Sequence, residues 1–279
     1  MKNTSSSGTT TGRKHSVKAL SQRRRHPLAA FALLLMALLV TGGIYAAAST
    51  ANEAQAQTTT FTANDVEEGS KLFSVNCASC HGMGATGSDA APSLVGVGAA
   101  SVDFQVGTGR MPMQANGPQA EQKAVQFNDE QVRQFAAYVA TLGAGPGIPE
   151  EQYLDVSQGN AANGAKVFLA NCAMCHNAAG AGGALTRGKY APSVMDVEEK
   201  HIYEAMQTGP QNMPVFNDAN ITPEEKRDVI TYLKTLEDSP NPGGFGLGAL
   251  GPVSEGLFVW TIGLAVIIGF TVWLTSRSA

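Results

Sequence analysis

Four cysteines are all that a chain of 279 residues carries, and they fall as Cys77-Ala-Ser-Cys80-His81 and Cys172-Ala-Met-Cys175-His176. Two thiols one helical turn apart can form thioethers to the two vinyl groups of one haem, and the residue that follows sets an imidazole beneath the iron. A thioredoxin-like thiol pair has no need of histidine at that position, and a zinc site would have to bring both pairs together. Disulfides among exported cysteines are the plain alternative. The twofold pattern points instead to two covalently bound haem c groups, one on Cys77 and Cys80 and one on Cys172 and Cys175, with His81 and His176 as proximal iron ligands.

The contexts of the two motifs are copies of one another. Gly69, Lys71, Phe73, Asn76 and the motif recur at Gly164, Lys166, Phe168, Asn171 and the second motif, an offset of 95 residues. Downstream, Arg133, Tyr138, Thr141 and Leu142 recur at Arg227, Tyr232, Thr235 and Leu236, an offset of 94. Each repeat opens and closes on apolar residues at helical spacing, with Val132, Phe135, Val139 and Leu142 on one side of the first closing helix. The second closing helix carries a capping signature, Thr222-Pro223-Glu224-Glu225. Gly69 and Gly164 sit inside helices, where glycine costs about 1 kcal/mol against alanine; close approach of another helix is the expected reason.

Charge is distributed unevenly around this repeat. Residues 1–27 carry seven basic side chains and no acid, whereas residues 49–253 carry 22 acids against 11 bases. The acidic body excludes nucleic acid as its main partner, since a polyanion would be repelled. Leu28–Ala48 and Gly256–Leu274 hold no charge over 21 and 19 residues, each long enough to cross roughly 30 Å of hydrocarbon. The basic tail places the N-terminus in the cytoplasm, and Arg277 places the C-terminus there too. The first run also reads as a cleavable signal, with Ala-rich sites at Ala46–Ala48 or Ala54–Ala56. Under either reading the motifs lie outside the cell membrane.

Beyond each attachment motif stands a Met-Pro pair, Met111-Pro112 and Met213-Pro214, preceded by Ala91-Pro92-Ser93 and Ala191-Pro192-Ser193. These segments resemble class I cytochromes c. The resemblance implies Met111 and Met213 as distal iron ligands, with Met113 a competitor for the first haem. It also implies that the Pro92 and Pro192 carbonyls receive the Nδ1 proton of the proximal histidines, against the alternative of ordinary turns. A thioether ligand raises the potential and leaves no open position for a substrate. Of five histidines, His81 and His176 are the proximal ligands and His15 and His26 lie in the basic tail, so only His201 is left over, in the polar stretch Glu198–Met206, where a solvated role is expected.

The halves differ in their loops. The first inserts fourteen residues, Met113–Gln126, after its Met-Pro pair, and the second lengthens the segment Asn177–Tyr190 after its motif. Both are read either as docking surfaces near the haem rims or as surface loops that have drifted in length. A Gly/Pro-rich stretch, 239–253, then leads to the last apolar run and cannot be a regular helix.

Taken whole, the chain resembles the dihaem cytochrome c subunit, often called cytochrome cc, of actinobacterial menaquinol:cytochrome c reductases. The resemblance rests on the paired attachment motifs, the Met-Pro pairs and the terminal apolar runs, and it spans nearly the whole chain. It implies an all-α fold of two tandem class I cytochrome c domains with N- and C-terminal transmembrane helices. The divisions expected are a cytoplasmic tail over 1–27, a membrane or signal segment over 28–48, a linker over 49–63, haem domains over 64–145 and 146–238, a linker over 239–253 and a membrane helix over 254–275. The implied role is the electron-transfer subunit of a quinol–cytochrome-c reductase, without a catalytic site of its own. Cytochrome b and Rieske iron-sulfur subunits and an aa3-type cytochrome c oxidase are the implied partners. Other readings are a dihaem subunit of a cbb3-kind oxidase, where the C-terminal anchor is unexpected, and a dihaem peroxidase, which needs an open haem that the Met-Pro pairs argue against.

Overall fold

The computed structural model describes residues 30–43, 61–115, 117–239 and 252–276. The basic tail, nearly all of the 49–63 and 239–253 linkers, and Arg277 lie outside the described residues. Two compact units divide the chain, Met1–Gln55 and Ala56–Ala279.

In the first unit the described residues form one apolar helix, α1 (Ala30–Gly43), within the run expected to span the membrane. Its 14 described residues rise only about 21 Å, short of a bilayer's hydrocarbon. At the far end of the second unit, α10 (Pro252–Ser276) starts two residues before the expected anchor and ends one residue after it. Ser254–Ser276 is long and apolar enough to cross a membrane, and its large apolar side chains, Trp260 and Trp273 among them, are exposed.

The rest of the second unit is helical and built twice. In the earlier part, α2 (Ala63–Asn76) runs into the short α3 (Ala78–His81), followed by α4 (Gly98–Gly107) and α5 (Asp129–Ala140). The later part repeats this as α6 (Ala161–Asn171), α7 (Ala173–His176), α8 (Glu199–Thr208) and α9 (Pro223–Asp238). Opening and closing helices pack on each other in both parts, α2 on α5 and α6 on α9. Phe73 and Phe135 anchor one apolar cluster, and Phe168, Ile230 and Leu233 anchor another. A two-residue ladder, β1 (Gly183–Ala184) against β2 (Tyr190–Ala191), is the departure from helix within the lengthened segment of the later part.

The caps explain where the helices begin. Thr222 and Glu225 form the expected reciprocal box at the start of α9, with Pro223 in the first turn. Asn128 and Gln131 do the same for α5. Thr62 and Asp65 cap α2, and the buried Asp65 carboxylate also accepts from Arg133 of α5 at 2.5 Å. The Arg133 hydrogen bond, helped by those from Thr62, holds the Asp65 carboxyl down at about 2.

Gly69 and Gly164 stand where the helices cross. A methyl group on Gly69 would overlap the backbone carbonyl of Gln134, and one on Gly164 would overlap that of Asp228. Backbone cannot swing aside as a side chain can, so Gly69→Ala is expected to destabilise the fold by about 1–3 kcal/mol, the cost of overpacking. Chemical denaturation of the variant measures this; an unchanged midpoint would mean that the helices are free to separate.

Candidate functional site

Each opening helix delivers its attachment motif by running straight into it. The Cys77 N–H donates to the Phe73 carbonyl at 2.9 Å, and the His81 N–H donates to the Cys77 carbonyl at 2.9 Å. In the later copy, Cys172 donates to Phe168 at 2.8 Å and His176 to Cys172 at 2.9 Å. One further turn thus carries both cysteines and the histidine, with buried Phe73 or Phe168 as its floor.

The histidine rings are held alike. His81 Nδ1 lies 2.8 Å from the Pro92 carbonyl oxygen, and His176 Nδ1 lies 2.9 Å from that of Pro192. A carbonyl only accepts, so the bond requires the proton on Nδ1 and leaves the Nε2 lone pair free to ligate. Burial lowers the pKa of His176, which keeps the imidazole neutral, as a metal ligand must be. The proline segments are themselves pinned by matching bonds, Leu94 N–H to Ala85 at 2.8 Å and Val194 N–H to Gly180 at 2.9 Å.

The cysteines are free thiols. Burial, with the neighbouring motif cysteine, pushes Cys77 and Cys172 up to about 11.

Around the later motif lies an open cleft walled mostly by apolar side chains. Cys172, Cys175, His176, Pro192, Met206 and Met213 all line it. The structure therefore brings every residue predicted for the second haem to one place. In the earlier part, Cys77 and Met111 both pack against the cluster around Phe73, and the partly buried Met113 does not. Met83 and Met174 are largely exposed. An apolar cleft with a neutral imidazole presenting Nε2, a thioether among its walls and two unpaired thiols beside the imidazole fits haem c.

Three lining residues come from the earlier part: Phe104, Arg110 and Gln119. Gln119, inside the fourteen-residue insertion, pairs with Tyr190 of the lengthened segment as donor to its carbonyl and acceptor from its N–H, both at 2.9 Å. Gln211 accepts from the Ala120 N–H at 3.1 Å. The two loops in which the repeats differ thus close on each other. No sequence signal pairs residues 71 positions apart, so this contact was not foreseen.

Helix α8 packs on α4, and this overturns one expectation. His201 is buried, not solvated: its Nδ1 is 2.9 Å from Glu204 Oε2 and its ring meets Phe104 edge-on at 6.1 Å. Lys200 spans the contact to Asp103 at 2.8 Å. Burial and then the nearby Asp103 push the Glu204 carboxyl well above the carboxylate range. Because the folded state keeps this proton above the unfolded chain's pKa of about 4.5, Glu204 makes stability fall as pH rises beyond that value. Glu204→Gln is therefore expected to gain stability relative to the unchanged chain as pH is raised, seen in melting curves at a series of pH values. A constant difference would show that Glu204 ionises normally.

Two family models match the chain, one described as cytochrome c oxidase, cbb3-type, subunit III over residues 159–233, and one as a cytochrome c-550 domain over residues 45–98. Each match covers one attachment motif. Over most of its length the chain is similar to proteins named cytochrome bc1 complex cytochrome c subunit. That of Corynebacterium efficiens is 43% identical over 94% of this chain and 93% of its own. That of Corynebacterium diphtheriae is 39% identical over 94% and 98%, and that of Mycobacterium tuberculosis 41% identical over 92% and 94%.

Proposed function

The chain belongs to the cytochrome c subunits of the cytochrome bc1 complex, and from that membership we propose that it is a two-haem relay, taking electrons from the Rieske iron-sulfur protein and delivering them to an aa3-type oxidase. The observation that carries this reading is the duplicated site: a free-thiol pair and an imidazole oriented by a proline carbonyl, at 2.8 and 2.9 Å in the two copies. When bound, haem c supplies a one-electron couple.

The residues then take distinct roles. Cys77 and Cys80, and Cys172 and Cys175, tether one group each. His81 and His176 ligate through Nε2, while Pro92 and Pro192 hold the rings and keep the proton on Nδ1. Met111 and Met213 would supply the thioethers that hold the iron of a bound haem c on its other side and so leave no open position for a substrate. The packing of Met111 against the Phe73 cluster supports it over Met113. These roles correspond to two tandem class I domains over 64–145 and 146–238.

The subunit is held at the membrane by α10, and a second span over 28–48 is part of the same reading. The haem domains then face the outside, with both termini in the cytoplasm. Quinol oxidation belongs to another subunit of the same assembly.

Stoichiometry tests the duplication directly. The purified chain is expected to hold two covalent c haems, measured as pyridine haemochrome per polypeptide, and to bind no carbon monoxide when reduced. One haem per chain, or ready carbon monoxide binding, would refute the relay as described.

A further inference from the structure

The cleft around His176 has a charge pattern out of keeping with the protein around it. The body of the chain is strongly acidic. Yet among the described residues no aspartate or glutamate lines the cleft, while Arg110 and Lys189 both do. Lys189 is bonded to Asn212 Oδ1 at 2.6 Å. Arg110 has no carboxylate partner among the described residues. Its guanidinium lies over the Phe104 ring, 4.7 Å from the centroid. A half-buried cation without an anion is unfavourable unless something negative joins it. The planar fork of an arginine suits a carboxylate in particular.

Arg110 also belongs to the other half of the molecule. It immediately precedes Met111, whose N–H is held by the Gln105 carbonyl at 2.8 Å. The helix before it, α4, is docked on α8 through Lys200–Asp103 and Phe104–His201. Phe104, the platform beneath the guanidinium, is thus fixed by the contact that joins the two halves.

We propose that Arg110 reaches across from the earlier half to pair with a propionate carboxylate of the haem held by Cys172, Cys175, His176 and Met213, making it a positioning residue that raises the potential of that haem. This rests on the two-haem reading above. A cation beside the group opposes the extra positive charge of the oxidised iron, so removing it favours oxidation.

The test is a redox titration of the full assembled complex carrying Arg110→Gln or Arg110→Lys, with the second haem assigned through the spectral change produced by Met213→His. Arg110→Gln is expected to raise the oxidised-to-reduced ratio of the second haem about tenfold at fixed ambient potential, equivalent to about 59 mV for one electron. Arg110→Lys should restore most of it, and the first haem should not move. A ratio changed less than twofold, or equal shifts in both haems, overturns the proposal. Should Arg110→Gln fail to assemble, the propionate bending bands in resonance Raman spectra of Arg110→Lys decide: a shift at the second haem alone supports the pairing, and no shift refutes it. A chain that holds only one c haem would instead fail the underlying reading, a result that haem content reveals before any titration.

Discussion

A chain with Cys172 and Cys175 both changed to serine is expected to carry one covalent haem in place of two and to support almost no quinol-driven oxygen uptake, while the earlier half keeps its haem and its spectrum. The separation follows from how the halves are built. Each has its own apolar cluster, one around Phe73 and Phe135 and one around Phe168, Ile230 and Leu233. Each motif is continuous with its own opening helix. Loss of the second tether therefore leaves the first site's walls in place. Transfer should still fail, because a small domain spans about 25 Å, and an electron stranded on one half has no second site from which to reach its acceptor. The comparison is haem content and oxygen uptake in membranes holding equal amounts of each chain. Appreciable uptake by the single-haem chain would mean that the later site lies off the path.

The second large effect is expected from Met213→His. A thioether favours reduced iron, and imidazole in its place lowers the potential. Axial ligands set haem potentials over about 0.8 V, and a fall on the order of a few tenths of a volt is expected here. Each 59 mV uphill cuts the equilibrium population of the reduced acceptor about tenfold. Turnover should then drop at least tenfold with both haems still attached. Spectra poised at a series of potentials read the change, and an unaltered midpoint would remove Met213 from the coordination of the iron.

Much of this was legible in the residues. The attachment motif names its own chemistry, because thiol spacing and the following histidine leave few other uses. Gly69 and Gly164 were readable as crossing points, since glycine inside a helix needs a steric reason, and the Gln134 and Asp228 carbonyls supply it. The Thr222–Glu225 cap was equally plain, and the Asn128–Gln131 cap of the same kind was there to be found.

What escaped the sequence depends on contacts between the halves. His201 sits in a stretch rich in charge, and its burial comes from α4, which periodicity within Glu198–Met206 cannot report. The Gln119–Tyr190 pairing joins two loops of no particular pattern. Arg110 carries no signal of its own in the sequence; its place in the wall of the other half's cleft follows from the docking of α4 on α8.

Purification of the tagged full-length chain from its native membranes in mild detergent, followed by reduced-minus-oxidised spectra, tests the relay most directly. The account predicts recovery of b-type and a-type haem with the c-type signal, together with a Rieske iron-sulfur protein and two c haems per chain. A preparation holding c-type haem alone, or joined to a different dehydrogenase, would contradict the path from quinol to oxidase.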